Sequence, residues 1–153
     1  MSENAFVVVH DRPYGAGVVA ARALAEGEAV ADLSECVIAD APSVYTIDVG
    51  GGRHIDGPQV RYLNHSCTPN VYVDAERMDV RALRPVAAGE ELAFFYPSTE
   101  WDMVAPFDCL CGAADCLGTV AGARAASPQA LRGHRLNRHV AERLAAVEAI
   151  RSA

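Results

Sequence analysis

Three cysteines stand within eight residues, as Cys109-Leu110-Cys111-Gly112-Ala113-Ala114-Asp115-Cys116. Cys109 and Cys111 are too close along the chain for an easy mutual disulfide. The spacing C-x-C-x4-C, with a glycine in the loop, instead suits thiolates converging on one tetrahedral cation. Such a site has room for a fourth ligand, to be drawn from Cys36, Cys67 or a histidine. The plain alternative is that the three cysteines are small buried apolar side chains. The chain holds five cysteines, an odd number, and Met1-Ser2-Glu3-Asn4 opens without a basic region or an apolar one. A disulfide framework and a secretory signal are therefore not expected, and a cytoplasmic protein is.

The elements that must position these residues read mainly as short strands. Phe6 to Val9, Val18 to Ala21, Ala29 to Leu33 and Cys36 to Ala39 are apolar runs separated by turn chemistry at Pro13-Tyr14-Gly15-Ala16-Gly17 and at Glu26-Gly27-Glu28. Val44 to Val49 is β-rich and ends at Gly50-Gly51-Gly52, which predicts a hairpin into Arg53 to Asp56. Val71 to Val73 and Met78 to Leu83 predict a pair, and Leu92 to Tyr96 a last strand. Strand signals this frequent, with no helices between them, disfavour a parallel βαβ architecture. The tail changes period. Ser127-Pro128 is a cap followed by proline at the first helical position, and Leu136, Val140, Leu144 and Val147 then share one helical face. A helix over residues 127–151 is expected, packed on the β core, with Gly133 a weak point and homodimerisation through the helix a second use.

Thirteen basic residues, all arginine, oppose twenty acidic ones for a net charge of −7. That balance argues against a nucleic-acid partner, whose affinity rests on neutralised phosphates. The sequence also holds no apolar run long enough to predict a membrane span. Residues 1–108 carry seven arginines against seventeen acids, a net of −10, while residues 109–153 carry six against three, a net of +3. The first part would attract a cationic substrate.

Four blocks, in order, carry a resemblance. Arg61-Tyr62-Leu63-Asn64-His65-Ser66-Cys67-Thr68-Pro69-Asn70 closely resembles the R-F-I-N-H-S-C-x-P-N signature of SET-domain lysine methyltransferases. Gly15-Ala16-Gly17-Val18-Val19-Ala20 resembles the family's G-x-G-V-F-A block, and Gly89 to Tyr96 resembles G-E-E-L-T-F-D-Y. Cys109 to Cys116, followed by Leu117-Gly118, resembles the post-SET zinc motif. The resemblance covers residues 6–122 and implies a mainly β SET fold, small sheets around a pseudoknot, with a post-SET zinc segment and a C-terminal helix. The boundaries expected are 5–104 for the SET domain, 105–122 for the zinc segment and 127–151 for the helix.

The resemblance also implies roles. Cys67 would join Cys109, Cys111 and Cys116 on one structural Zn²⁺, leaving Cys36 an ordinary thiol. S-adenosyl-L-methionine, the methyl donor, would lie against Gly15, Ala16, Gly17, Tyr62, Asn64, His65, Tyr96 and Leu117. Gly15 and Gly17 would let backbone approach it, and the Asn64 amide would meet the amino end of its methionine moiety. Tyr96 resembles the catalytic tyrosine, Tyr45 a second tyrosine lining the lysine channel, and Phe94 the position that sets how many methyl groups are added. Two departures stand out: Phe95 where the family has Asp, and Pro97 where a small residue is common. The stretch between Ile38 and Val44 is very short, where histone methyltransferases insert a segment that grips the peptide. The expected function is N-methylation of a lysine side chain on a basic protein substrate. The rivals are methylation of a small amine metabolite at the same site, and a non-catalytic, donor- and zinc-binding interaction module.

Overall fold

Short apolar runs punctuated by turns become twelve strands in the computed structural model of the chain, which describes residues 4–152. β1 (Phe6–Arg12) and β2 (Gly15–Ala20) form an antiparallel hairpin. β1 outruns the expected Val9 because a bulge between Val9 and Arg12 carries the chain to a tight turn at Pro13-Tyr14. Gly15 closes that turn at φ 109°, a region that residues with a Cβ avoid.

The body of the molecule is two three-stranded antiparallel sheets. β3 (Ala29–Asp32), β8 (Val71–Asp74) and β9 (Asp79–Ala82) make the first, with β9 central. β4 (Val37–Ile38), β5 (Ile47–Gly50) and β6 (Arg53–Asp56) make the second, with β6 central. The triple-glycine hairpin forms between β5 and β6, but β5 starts only at Ile47. Residues 43–46 instead close on themselves: Ser43 N–H donates to Thr46 Oγ1 at 2.9 Å, and Thr46 Oγ1 donates to Ser43 O at 3.1 Å. These local bonds compete successfully with a ladder.

β7 (Asn64–His65) and β10 (Ala93–Phe94) form the one parallel pair among the described residues, Asn64 opposite Ala93 and His65 opposite Phe94. A parallel pair needs a long crossover, and the β8–β9 hairpin supplies it. The strand expected over Leu92 to Tyr96 is cut short because Pro97 starts a 3₁₀ turn over Tyr96–Ser98. The core lies between these sheets, with Leu33, Ile55, Val73 and Leu92 fully covered.

β11 (Phe107–Asp108) and β12 (Thr119–Val120) pair antiparallel and enclose the cysteine loop. The single helix expected over 127–151 is two pieces, α1 (Pro128–Leu131) and α2 (Arg138–Ser152). Ser127 caps α1 as expected, accepting from Ala130 N–H at 3.1 Å. The break is fixed by Asn137, which is buried and bonds backbone of β8, of the turn after it and of the 3₁₀ turn rather than continuing a helix. Leu136, Val140 and Leu144, three of the four residues of the expected stripe, pack on a second apolar cluster with Phe95 and Leu131, with Val140 fully covered and Leu136 and Leu144 partly so. No described helix is long and apolar enough to cross a membrane.

Candidate active site and metal centre

The parallel pair of β7 and β10 brings the Asn64-His65 and Phe94-Tyr96 blocks side by side on the wall of a cavity of about 630 Å³. That is the size range of a site for a small-molecule cofactor and the end of a substrate. Period-two alternation decides which side chains enter it. Phe94 and Tyr96 line the cavity, their rings 4.8 Å apart, while Phe95 between them points the other way. Phe95 stacks flat on His134 at 3.6 Å and anchors the C-terminal cluster. The departure from Asp to Phe therefore leaves the cavity unobstructed, and Pro97 is the buried start of the 3₁₀ turn.

Tyr96 is fixed from two directions. Its hydroxyl donates to Leu63 O at 2.6 Å, and its N–H donates to His65 Nδ1 at 3.1 Å. Burial, with Glu100 nearby, holds the phenol well above its ordinary range, so it stays neutral. With its proton committed to Leu63, its oxygen keeps lone pairs for a donor in the cavity. His65 is held neutral, its pKa lowered to about 4 by burial and by His134. Glu100 also lines the cavity, and nothing in its sequence surroundings pointed to it.

A polar group sits at the β1–β2 hairpin. Asn64 Nδ2 donates to Ala16 O at 3.0 Å and to Glu91 Oε2 at 3.2 Å. Tyr14 donates to Glu91, and Arg12 Nε lies 3.6 Å from the same carboxylate. Arg12 Nε is buried with no hydrogen-bond partner. A Cβ on Gly17 would come to 3.3 Å from Arg12 Cγ, Asn64 Nδ2 and Glu91 Oε2 alike, so a side chain there would have to push all three back by a few tenths of an ångström. An unsatisfied guanidinium N–H and a carboxylate, side by side, match the carboxylate and ammonium of an amino-acid moiety such as that of S-adenosylmethionine. Tyr14, Arg12 and Glu91 were not among the expected site residues, since the β1–β2 hairpin and a bridge between Val19 and Glu91 bring them together.

The expected residues divide. Asn64, His65, Tyr96 and Tyr45 line the cavity, Tyr45 at its rim, 45% exposed, with the Arg61 guanidinium 4.5 Å over its ring. Ala16 and Gly17 reach the cavity through Asn64, and Gly15 starts their strand. Tyr62 packs against the main core and His10, and Leu117 against the C-terminal cluster; neither lines the cavity.

Cys67, Cys109, Cys111 and Cys116 place their sulfurs within 4.8 Å of one another, with Cys67 and Cys109 at 3.9 Å. Tetrahedral Zn²⁺ with Zn–S bonds of about 2.3 Å needs sulfurs roughly 3.8 Å apart, so the cluster fits the ion. Burial pushes the Cys67 thiol up, and a divalent cation is what would reverse that. Leu117 N–H, 3.4 Å away, and His65 Nε2, 3.3 Å away, both face the Cys67 sulfur as a thiolate would require. The metal would thereby orient the ring that receives the Tyr96 N–H. Cys36 is remote from the cluster and bonds Gln59 Oε1 at 3.4 Å.

Comparison with known proteins agrees with this geometry. The SET domain family matches residues 15–97. Methyltransferase flvH of Aspergillus flavus is 37% identical over 146 residues, which cover 94% of this chain and 82% of that protein. The H3 lysine-36 specific histone-lysine N-methyltransferase of Chaetomium globosum is 41% identical over 68 residues, 40% of this chain and only 8% of that protein. Among solved structures, KRYPTONITE in complex with mCHG DNA and SAH superposes with a TM-score of 0.58 at 18% identity, covering 77% of this chain and 30% of that one. The methyltransferase domain of human SETMAR gives 0.55 at 19%, covering 78% and 59%. With a family match over more than half its length, and a full-length relative that is a methyltransferase, this chain belongs to the SET-domain family and is a SET-domain methyltransferase.

Proposed function

We propose that the chain transfers a methyl group from S-adenosylmethionine to the ε-amine of a lysine side chain on a protein. The observation that carries this reading is the neutral Tyr96 phenol, fixed by Leu63 O, on the wall of a cavity that also holds Asn64 and its acidic neighbour Glu91. When bound, S-adenosylmethionine supplies an electrophilic methyl carbon on a sulfonium sulfur. Arg12, Asn64 and Glu91 hold the amino-acid end of such a donor. The Tyr96 oxygen accepts an N–H of the incoming amine and sets its line of approach, where alignment is worth several orders of magnitude in rate. Lysine, with an ordinary pKa of ~10.4, arrives charged, and the acidic residues 1–108 attract it. Four thiols kept reduced for a metal fit a cytoplasmic setting.

A specific observation favours a second reading, a small free amine at the same site. Only a short self-closed loop, residues 39–46, separates β4 from β5, leaving little chain to grip a peptide. Incubation with labelled donor and whole-cell lysate, followed by separation of macromolecules from metabolites, decides between the two. Label on protein lysines is the expected result. Label confined to small amines establishes the second reading, and donor binding without any transfer refutes both.

A further inference from the structure

Glu100 sits one turn beyond Tyr96. Its N–H donates to Tyr96 O at 3.0 Å, and its side chain lines the same cavity. There Asp48 N–H, from β5, donates to Glu100 Oε2 at 3.0 Å. The backbone tie to Tyr96 and the bond from β5 fix the carboxyl at the wall of the cavity that Tyr96 also lines. A carboxylate can accept about four hydrogen bonds, so the bond from Asp48 leaves capacity for a ligand.

We propose that Glu100 recognises the ammonium of the substrate and takes its proton before methyl transfer. This rests on the reading of the substrate as an alkylamine, and holds equally for a protein lysine or a free amine. R–NH₃⁺ gives one proton to the Glu100 carboxylate, leaving a carboxylic acid and a neutral amine. The nitrogen lone pair forms the N–C bond as the methyl carbon's bond to sulfur breaks, its electron pair staying on sulfur. Product leaves as the methylammonium, and Glu100 returns its proton to water through the cavity mouth, so each turnover releases one proton.

The electrostatics of the site agree. Burial pushes the Glu100 carboxyl up to about 7, with Asp48 adding to the rise, and with the Thr99 hydroxyl and the Asp48 N–H opposing it. A base poised near neutral pH is the efficient one. The groups that face it are Asp48 from β5, Tyr96 from its own turn, and His139 from α2. The His139 Nε2 lies 3.9 Å from Asp48 Oδ1 and 2.8 Å from Thr99 O.

The test compares wild type with Glu100→Gln, which keeps the shape and an acceptor for Asp48 N–H. Calorimetric titration at pH 8 with n-butylammonium, the end of a lysine side chain, and no added donor should show binding weakened at least tenfold in the variant. Donor affinity should be unchanged, and the melting temperature should not fall, since the substitution removes a buried carboxylate whose charged form burial disfavours. In turnover, the variant should lose roughly 10²- to 10⁴-fold in kcat/KM. The sign follows from the need for an ionised carboxylate: wild-type kcat/KM rises with pH through about 7. The variant lacks that limb and follows the free-amine fraction instead, so the gap narrows toward the lysine pKa of ~10.4. Equal n-butylammonium binding by both proteins, or none by wild type, overturns the proposal. Methyl transfer unaffected by the substitution sinks it too while leaving the methylation reading intact. Binding that depends on Glu100 without transfer to any amine overturns the methylation reading and, with it, the proton-transfer half of the proposal.

Discussion

Replacing Asn137 by alanine should destabilise the protein far more than an ordinary polar substitution. Its side chain accepts from Ala75 N–H at 2.9 Å and donates to Val73 O at 2.8 Å and Ser98 O at 3.0 Å. The residue is 3% exposed, so water does not replace these bonds in Asn137→Ala. A buried backbone group left without a partner costs about 1–3 kcal/mol; Ser98 O keeps the bond from the Asn137 N–H at 3.0 Å, so Ala75 N–H and Val73 O lose their partner, and a loss of about 2–4 kcal/mol is expected. For a domain of this size that is a fall of roughly 10 °C in melting temperature. Because Ser98 closes the 3₁₀ turn that carries Tyr96, turnover should fall as well, at temperatures where the variant is still folded. Asn137→Asp is a sharper probe. It keeps the bond from Ala75 but turns a carboxylate toward two carbonyl oxygens, which raises its folded pKa. Its stability should therefore recover relative to wild type as pH falls and the acid regains a donor. Scanning calorimetry of the three proteins is the assay. A drop below about 2 °C in Asn137→Ala would refute the reasoning, because surface-like behaviour is incompatible with two buried groups losing their partner.

Three further outcomes are expected. Purified protein should carry about one zinc per chain by elemental analysis; Cys67→Ser should release it and Cys36→Ser should not. Tyr96→Phe should lower kcat by orders of magnitude with little change in donor affinity, read by single-turnover kinetics and calorimetry. Phe94, buried against Tyr96, leaves the amine room to rotate for a second transfer. Wild type should therefore give di- or trimethyl product, and Phe94→Tyr should shift it toward monomethyl, as mass spectrometry at matched total methylation would show.

Features written in local spacing were legible before any coordinates. The C-x-C-x4-C loop, the triple-glycine hairpin and the Ser127 cap depend on neighbours a few residues apart, and each forms. The fourth sulfur came only through resemblance, because Cys67 reaches the loop from the end of a strand far off in the chain. The helix break was half legible: Gly133 marked a weak point, but Leu136, Val140 and Leu144 keep a four-residue spacing that continues the helical pattern. Only the tertiary partners of Asn137 show that the chain turns there. Arg12, Tyr14 and Glu91 carry no motif of their own; the β1–β2 hairpin and a bridge between Val19 and Glu91 assemble them. Phe95 stood out only as a departure from the family's Asp, because a sequence block does not say which way each side chain points.

That alternation at Phe94, Phe95 and Tyr96 divides one short segment between two employments. The residues on one side meet the reactants, and the residue between them holds the C-terminal helices through His134. Changes at position 94 can retune what the cavity accepts without loosening the tail. Exchanges at Phe95 and His134 remodel the tail and also reach the site through His65, whose ring lies 5.6 Å from Phe95 and whose pKa His134 helps to lower. A library aimed at new acceptors should vary the first set and leave the second alone.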